Sequence, residues 1–278
     1  MLSTRVLHFG RYEVFFESAV IWTKASAYTP HLLSKSTDRL PAVGGLAKQI
    51  AMRRKSRYLA GLWEYTLNDD LLWRVHMTSR RKRPRLYPLY APTWSWASVQ
   101  TWVGYWDEIL VADEDHATER EERPDYEHYG KIERCEVDRQ SSTAVDEFSL
   151  ITRGSIIICG LVAEGVLERE VQQDGDGEDI IHHYVAFPGV RLPIKTDYLL
   201  DHDNAGQTSA GANVFCLRMS RIQEGSTDHL ISLVLRKSPS CHFSFERIGM
   251  LIVAAKPPPV NAVGEVSKGA DLRTVSIV

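Results

Sequence analysis

The period of the apolar residues changes near residue 87, helical before it and β after it, and this change points to an α+β fold. Leu40, Val43, Leu46, Ala47 and Ile50 recur at spacings of three and four, one face of an amphipathic helix. Thr37 or Asp38 can cap that helix, Pro41 suits its first turn, and Met52-Arg53-Arg54-Lys55 gives it a cationic end. Gly61 marks a break, after which Leu67 to Val75 predicts a second helix with Leu67, Leu71 and Leu72 facing inward. At the N-terminus, Arg5–Phe9 and Tyr12–Glu17 flank Gly10-Arg11, a pattern for a short hairpin through a type II′ turn.

Beyond Tyr87 the β-prone runs are Thr93–Val99, Tyr105–Val111, Lys131–Val137 and Phe148–Leu167, then Ile180–Phe187, Asp197–Asp201, Val214–Ser220, Leu230–Arg236 and Phe243–Ala254. The run Phe148–Leu167 predicts two strands or one bent strand, with a kink at Gly154 or Gly160. Asp174–Asp179 reads as a hairpin tip, residues 113–128 as a polar loop, and Leu272–Val278 as a short last strand after the prolines at 257–259. The expected architecture is a short N-terminal hairpin and two helices packed on a mainly antiparallel sandwich or barrel-like region. The divisions are 1–87, 88–256 and a Pro-containing tail at 257–278.

The tryptophans fix where the core should lie. Trp94 and Trp96 alternate with small residues in Tyr90-Ala91-Pro92-Thr93-Trp94-Ser95-Trp96-Ala97-Ser98-Val99, which reads as a strand. Together with Trp63 and Trp73 they are expected to form a structural aromatic core, because each ring buries a large apolar area and needs only one partner for its N–H. Trp102 and Trp106 are read the same way.

Composition narrows the function classes. A formal charge of −3 disfavours nucleic acid as a partner. The longest uncharged apolar stretch, Ser155 to Ala163, is far short of the roughly 20 residues of a membrane-spanning helix. Cys135, Cys159, Cys216 and Cys241 form no CxxC pair, so no zinc or redox motif is visible and reduced thiols in a cytoplasmic protein are expected.

The residue blocks resemble the C-terminal part of fungal heterokaryon-incompatibility (HET domain) proteins. In that family's order come Leu2–Phe9, Phe15-Phe16-Glu17, Ser36–Ala47, Tyr58–Trp63, Leu71-Leu72-Trp73 and Tyr90–Ser98. Weaker matches follow at Leu233–Arg236 and Phe245–Gly249. The tryptophan-aspartate-cysteine and arginine-tryptophan-threonine-x-glutamine-glutamate blocks of the HET domain proper do not occur in the sequence. The resemblance implies a role in allorecognition and programmed cell death. It also implies that any effector activity, in a domain distantly similar to TIR domains, lies outside these residues, so no catalytic residue carries over.

The other motifs read as structure. Arg80-Arg81-Lys82-Arg83-Pro84-Arg85 is a nuclear-import signal, a phosphate contact or, more simply, a solvated connection. Asp174–Asp179 fails the calcium-loop template, with Asp179 where glycine is required and Val185 where glutamate is required. His182 and His183 are neighbours in a predicted strand and so point to opposite faces. No cofactor, metal or catalytic residue is assigned, and neither an oligomeric state nor a specific protein partner can be read. The leading expectation is a non-catalytic accessory or recognition region. The rivals are a stand-alone enzyme whose site assembles only in the fold, with His8, His76, His182, His183, His229 and His242 as candidate bases, and a truncated product without independent function. For the last, an exposed patch at Val6, Leu7, Phe9, Phe15 and Phe16 is the expected sign.

Overall fold

The structure, a computed structural model, describes residues 39–75, 83–85, 87, 89–101, 103–104, 125–139, 151–224, 227–255, 266 and 269–278. The expected N-terminal hairpin and its apolar patch, the run 105–111, Trp102 and Trp106 lie outside these residues. Helix α1 (Arg39–Arg54) buries Leu40, Val43, Ala47 and Ile50, the stripe that its spacing dictates. A tight hairpin follows, β1 (Tyr58–Leu59) and β2 (Leu62–Trp63). Its two turn residues, Ala60 and Gly61, both have positive φ, at 51° and 95°. Two positive values are what a two-residue turn matched to strand twist requires.

The second predicted helix is cut short. It spans only Leu67–Asp70 (α2), and Arg74–Val75 pairs instead as strand β3 with β4 (Val103–Gly104). Leu67, Leu71 and Leu72 are buried all the same. Asp70 ends the helix by turning its carboxylate back to accept from the Trp63 amide at 2.8 Å.

Most of the remaining chain is one nine-stranded sheet. Its strands are β5 (Asp125–His128), β6 (Lys131–Arg139), β7 (Ile151–Gln173), β8 (Asp179–Phe187), β9 (Val190–Thr196), β10 (Asn213–Glu224), β11 (Thr227–Lys237), β12 (Phe245–Ala255) and β13 (Asp271–Ile277). The fold is therefore α+β and dominated by β-structure. The strand β7 is single and 23 residues long, and it changes partners along its length. Its first half pairs with β6 and β13, its middle with β10, and its second half with β8. The pairings β7–β8, β8–β9, β9–β12, β12–β11, β11–β10 and β10–β7 are all antiparallel and return to their starting strand. At the β7–β8 turn, Asp174 Oδ1 accepts from the amides of Asp176 and Glu178, the local bonding that makes Asp a turn former.

Three further readings are corrected. Residues 93–98 are not a strand but a turn and a short 3₁₀ segment at Trp96–Ser98. Ser95 decides this, because its hydroxyl accepts from the Ala97 amide and so competes with extended pairing. Residues 197–201 leave the sheet after β9, as Asp197 turns its carboxylate into a buried ion pair, and β9 itself was hidden by Pro193. The polar stretch to residue 128 ends in β5, which pairs antiparallel with β10; backbone pairing tolerates its polar side chains, and His128 and Glu127 add side-chain contacts to Ser220 and Arg221.

Alternate residues of the central strands feed two cores. Leu217, Leu233, Leu235 and Met250 pack with Leu59, Leu62, Trp73, Trp94 and Trp96. Cys216, Val234 and Leu251 pack on the other face with Leu167, Val185, Tyr198 and Leu200. The sheet is thus covered on both faces, and the first core joins residues on both sides of position 87.

Candidate functional site

Trp63, Trp73, Trp94 and Trp96 are between 0 and 1% exposed. The Trp73 indole N–H donates to the Trp94 carbonyl at 2.9 Å, and the Trp96 indole N–H donates to the Gly61 carbonyl at 3.0 Å. Ser95 Oγ adds a bond to the Ala60 carbonyl at 2.6 Å. A Cβ on Gly61 would stand 2.6 Å from Trp96 Nε1, so the indole can reach this turn only over a glycine. Trp63 meets Tyr58 edge-to-face at 5.1 Å. These rings form a wedge between α1 and the sheet, and none of them lines an open cleft.

Behind the wedge lies a seam of buried charge. Arg247 and Asp197 are both 0% exposed and pair through two contacts, Nε to Oδ2 at 2.9 Å and Nη2 to Oδ1 at 3.3 Å. The same guanidinium donates to the carbonyls of Leu71 (2.7 Å) and Trp73, and its Cζ lies 3.6 Å from the Trp73 ring centroid. A cation over an indole face in a desolvated site is attractive in itself. Across the strand, Arg236 pairs with Glu246 at 2.6 Å. Glu246 also accepts from the Tyr87 hydroxyl at 3.0 Å and from Ser238 Oγ at 3.0 Å, while Arg236 reaches the carbonyls of Ala205 and Gln207. Burial pushes the Tyr87 hydroxyl pKa up.

A bulge sends these neighbours to different places. Val234 faces Gly249 and Leu235 faces Arg247, leaving Ile248 unpaired. Residues 247 and 249, which share a face in a regular strand, therefore point to opposite faces here. Arg247 consequently meets the wedge and Glu246 meets Arg236.

Arg85 corrects the reading of the basic run. It is 0% exposed rather than solvated, while Arg83 stays exposed. Arg85 Nη1 donates to the Arg247 carbonyl at 2.7 Å, its Cζ lies 4.2 Å over the Tyr198 ring, and Asn204 Nδ2 donates to its carbonyl. The Leu199 amide also bonds the Arg83 carbonyl, so residues 83–85 and 87 lie as a strap across the 197–208 loop.

Two open features complete the picture. A groove of about 480 Å³ is lined by Tyr90, Pro92, Glu136, Asp138, Arg153 and Cys241, among others. The exposed Cys241 thiol has its pKa lowered by hydrogen bonds from the Ser244 hydroxyl and the Phe243 and Ser244 amides. Elsewhere, Asp69, His128 and Ser220 form a chain: His128 Nε2 lies 3.3 Å from Asp69 Oδ1, and its Nδ1 lies 3.0 Å from Ser220 Oγ. Ser220 is 0% exposed, so its hydroxyl is closed to a substrate in this conformation. Of the sequence-named histidines, His183 lies 3.3 Å from Asp201, which Arg169 also reaches, and His182 is on the opposite side of β8. Among the described residues no group of three or more His, Cys, Asp or Glu is arranged to hold a metal, and no helix is long and apolar enough to cross a membrane.

Sequence reasoning missed Arg85, Asp197, Arg236, Glu246 and Arg247, and the Asp69–His128–Ser220 chain. Charges set directly against apolar strand runs, as at Leu235-Arg236 and Phe245-Glu246-Arg247-Ile248, were the available signal. No protein-family model, curated protein or solved structure matches the chain.

Proposed function

We propose that the chain is a non-catalytic accessory and recognition region of a fungal heterokaryon-incompatibility protein, acting beside an effector domain in allorecognition and programmed cell death. One observation carries the reading: four of the blocks on which the resemblance rests, Tyr58–Trp63, Leu71–Trp73, Tyr90–Ser98 and Phe245–Gly249, are one another's partners in space. Trp96 and Ser95 bond the Ala60-Gly61 turn, Trp73 bonds Trp94, and Arg247 of the Phe245–Gly249 block bonds the carbonyls of Leu71 and Trp73. Residue types that recur together in sequence are accounted for when they build a single joint. In this reading the β region is barrel-like, which the self-closing strand pairings support, and the groove beside Tyr90 and Pro92 is the surface offered to a cytoplasmic protein partner.

The test is twofold. Purified protein incubated with NAD and other nucleotides should leave them intact, and the chain expressed alone in a fungal host should leave growth unchanged. Sustained nucleotide turnover, or killing by the isolated chain, overturns the proposal.

A second reading, an enzyme assembled only in the fold, is favoured by the Asp69–His128–Ser220 chain, since an imidazole between a carboxylate and a hydroxyl can act as a general base. Ester hydrolysis abolished by both His128→Ala and Ser220→Ala would support it. Activity unchanged by either would dismiss it.

A further inference from the structure

We propose that Arg85 binds a small oxyanion, a carboxylate or a phosphate, on the free edge of its guanidinium. The three seam arginines make the case by comparison. Arg247 turns its Nε and Nη2 edge to Asp197, and Arg236 turns the same edge to Glu246. On Arg85, 0% exposed, those same two nitrogens have no hydrogen-bond partner among the described residues, while Nη1 is occupied by the Arg247 carbonyl. This edge presents two parallel N–H groups, the geometry that takes a carboxylate or phosphate through two bonds at once.

Charge leads to the same place. Among the described residues, the seam buries three arginines, Arg85, Arg236 and Arg247, with two carboxylates, Asp197 and Glu246, leaving one positive charge in excess. Asp197 is held by Arg247, and Glu246 by Arg236, Tyr87 and Ser238, so neither carboxylate is free to turn toward Arg85. A guanidinium cannot shed its proton at any ordinary pH, so burial cannot neutralise it as it would a lysine or histidine. A buried cation without a counter-charge is costly, and an arriving anion removes that cost. The Tyr198 ring stacks under the guanidinium, and Asn204 Nδ2 holds the Arg85 main-chain carbonyl, so the plane that carries the free edge is fixed. Entry is across the strap and the adjoining turn, where Arg83, His202, Asp203 and Ala205 are exposed and Tyr87 is half-buried. Arg85 would serve this role whether or not the chain belongs to an incompatibility protein.

The experiment is a melting series on the full chain in phosphate, acetate and chloride at matched ionic strength. Phosphate or acetate should raise the midpoint saturably, by about 2–4 °C or more at saturation, and chloride should not. The stronger of the two responses separates a phosphate ligand from a carboxylate one. Arg85→Met should abolish the response, Arg85→Lys should weaken it because a point charge lacks the fork, and Arg83→Ala should keep it. A wild-type protein indifferent to both oxyanions overturns the proposal. So does a response that survives in Arg85→Lys at full strength or disappears in Arg83→Ala.

Discussion

Removing the carboxylate of Asp197 should be among the most damaging single changes to the fold. Asp197→Ala leaves the Arg247 guanidinium, 0% exposed, without the two contacts at 2.9 and 3.3 Å that neutralise it. Breaking a buried pair by deleting one partner typically costs about 3–5 kcal/mol, because the survivor stays desolvated and charged. With a urea slope near the upper end for small proteins, about 3 kcal/mol per M, the midpoint should fall by about 1–1.7 M. Arg247→Met should cost a similar amount, since it also strips the carbonyls of Leu71 and Trp73 of a donor. The double variant should cost clearly less than the sum, by about 1–3 kcal/mol, as neither charge is then stranded. Equilibrium urea unfolding followed by tryptophan fluorescence measures all four corners. A midpoint shift below about 0.3 M for Asp197→Ala at unchanged slope, or strict additivity in the double variant, refutes the reasoning.

Trp96→Ala should destabilise by about 3–5 kcal/mol, because a ring 1% exposed is lost along with the bond to the Gly61 carbonyl; calorimetry checks it, and an unchanged melting point counts against the wedge. Gly61→Ala places a Cβ 2.6 Å from Trp96 Nε1 at a φ of 95°, so it should lower stability by at least about 1 kcal/mol in the same assay. Cys241, exposed and with its thiol pKa lowered, should react with Ellman's reagent near neutral pH well before Cys216 and Cys135, whose thiols burial pushes up to about 12; equal rates would refute this. Because those two raised values exceed the ordinary 9.0, the native state keeps protons that the unfolded chain loses. Stability is therefore whole below about pH 9 and falls toward about pH 12, each thiol adding at most about 1.4 kcal/mol per pH unit. Cys216→Ala should flatten that slope in pH-dependent urea titrations.

The elements that periodicity governs were legible. The stripe Leu40-Val43-Ala47-Ile50 specified α1, and the apolar runs at 180–187, 214–220 and 230–236 specified strands close to those observed. What periodicity could not reach was decided by single polar atoms. Ser95 Oγ turns an apparent strand into a 3₁₀ segment, and Asp70 Oδ2 stops a helix that Leu71 and Leu72 would have continued. The seam was hidden for a different reason. Its residues come from positions 85, 197, 236 and 246–247, and their facing depends on the unpaired Ile248, which no local pattern announces. Arg85 in particular sits in a run of like charges, where a solvated loop is the ordinary outcome and burial follows only from the strap's position over Tyr198.

The bonds from Arg247 to the carbonyls of Leu71 and Trp73 span 176 and 174 residues. During translation at roughly 5–20 residues per second, the tryptophan-bearing segments leave the ribosome about 10–35 s before the strand that fastens them exists. For that interval their large rings stand open to chaperones and to neighbouring nascent chains. Yield in the cell should therefore depend on elongation speed between these points as well as on the stability of the finished protein.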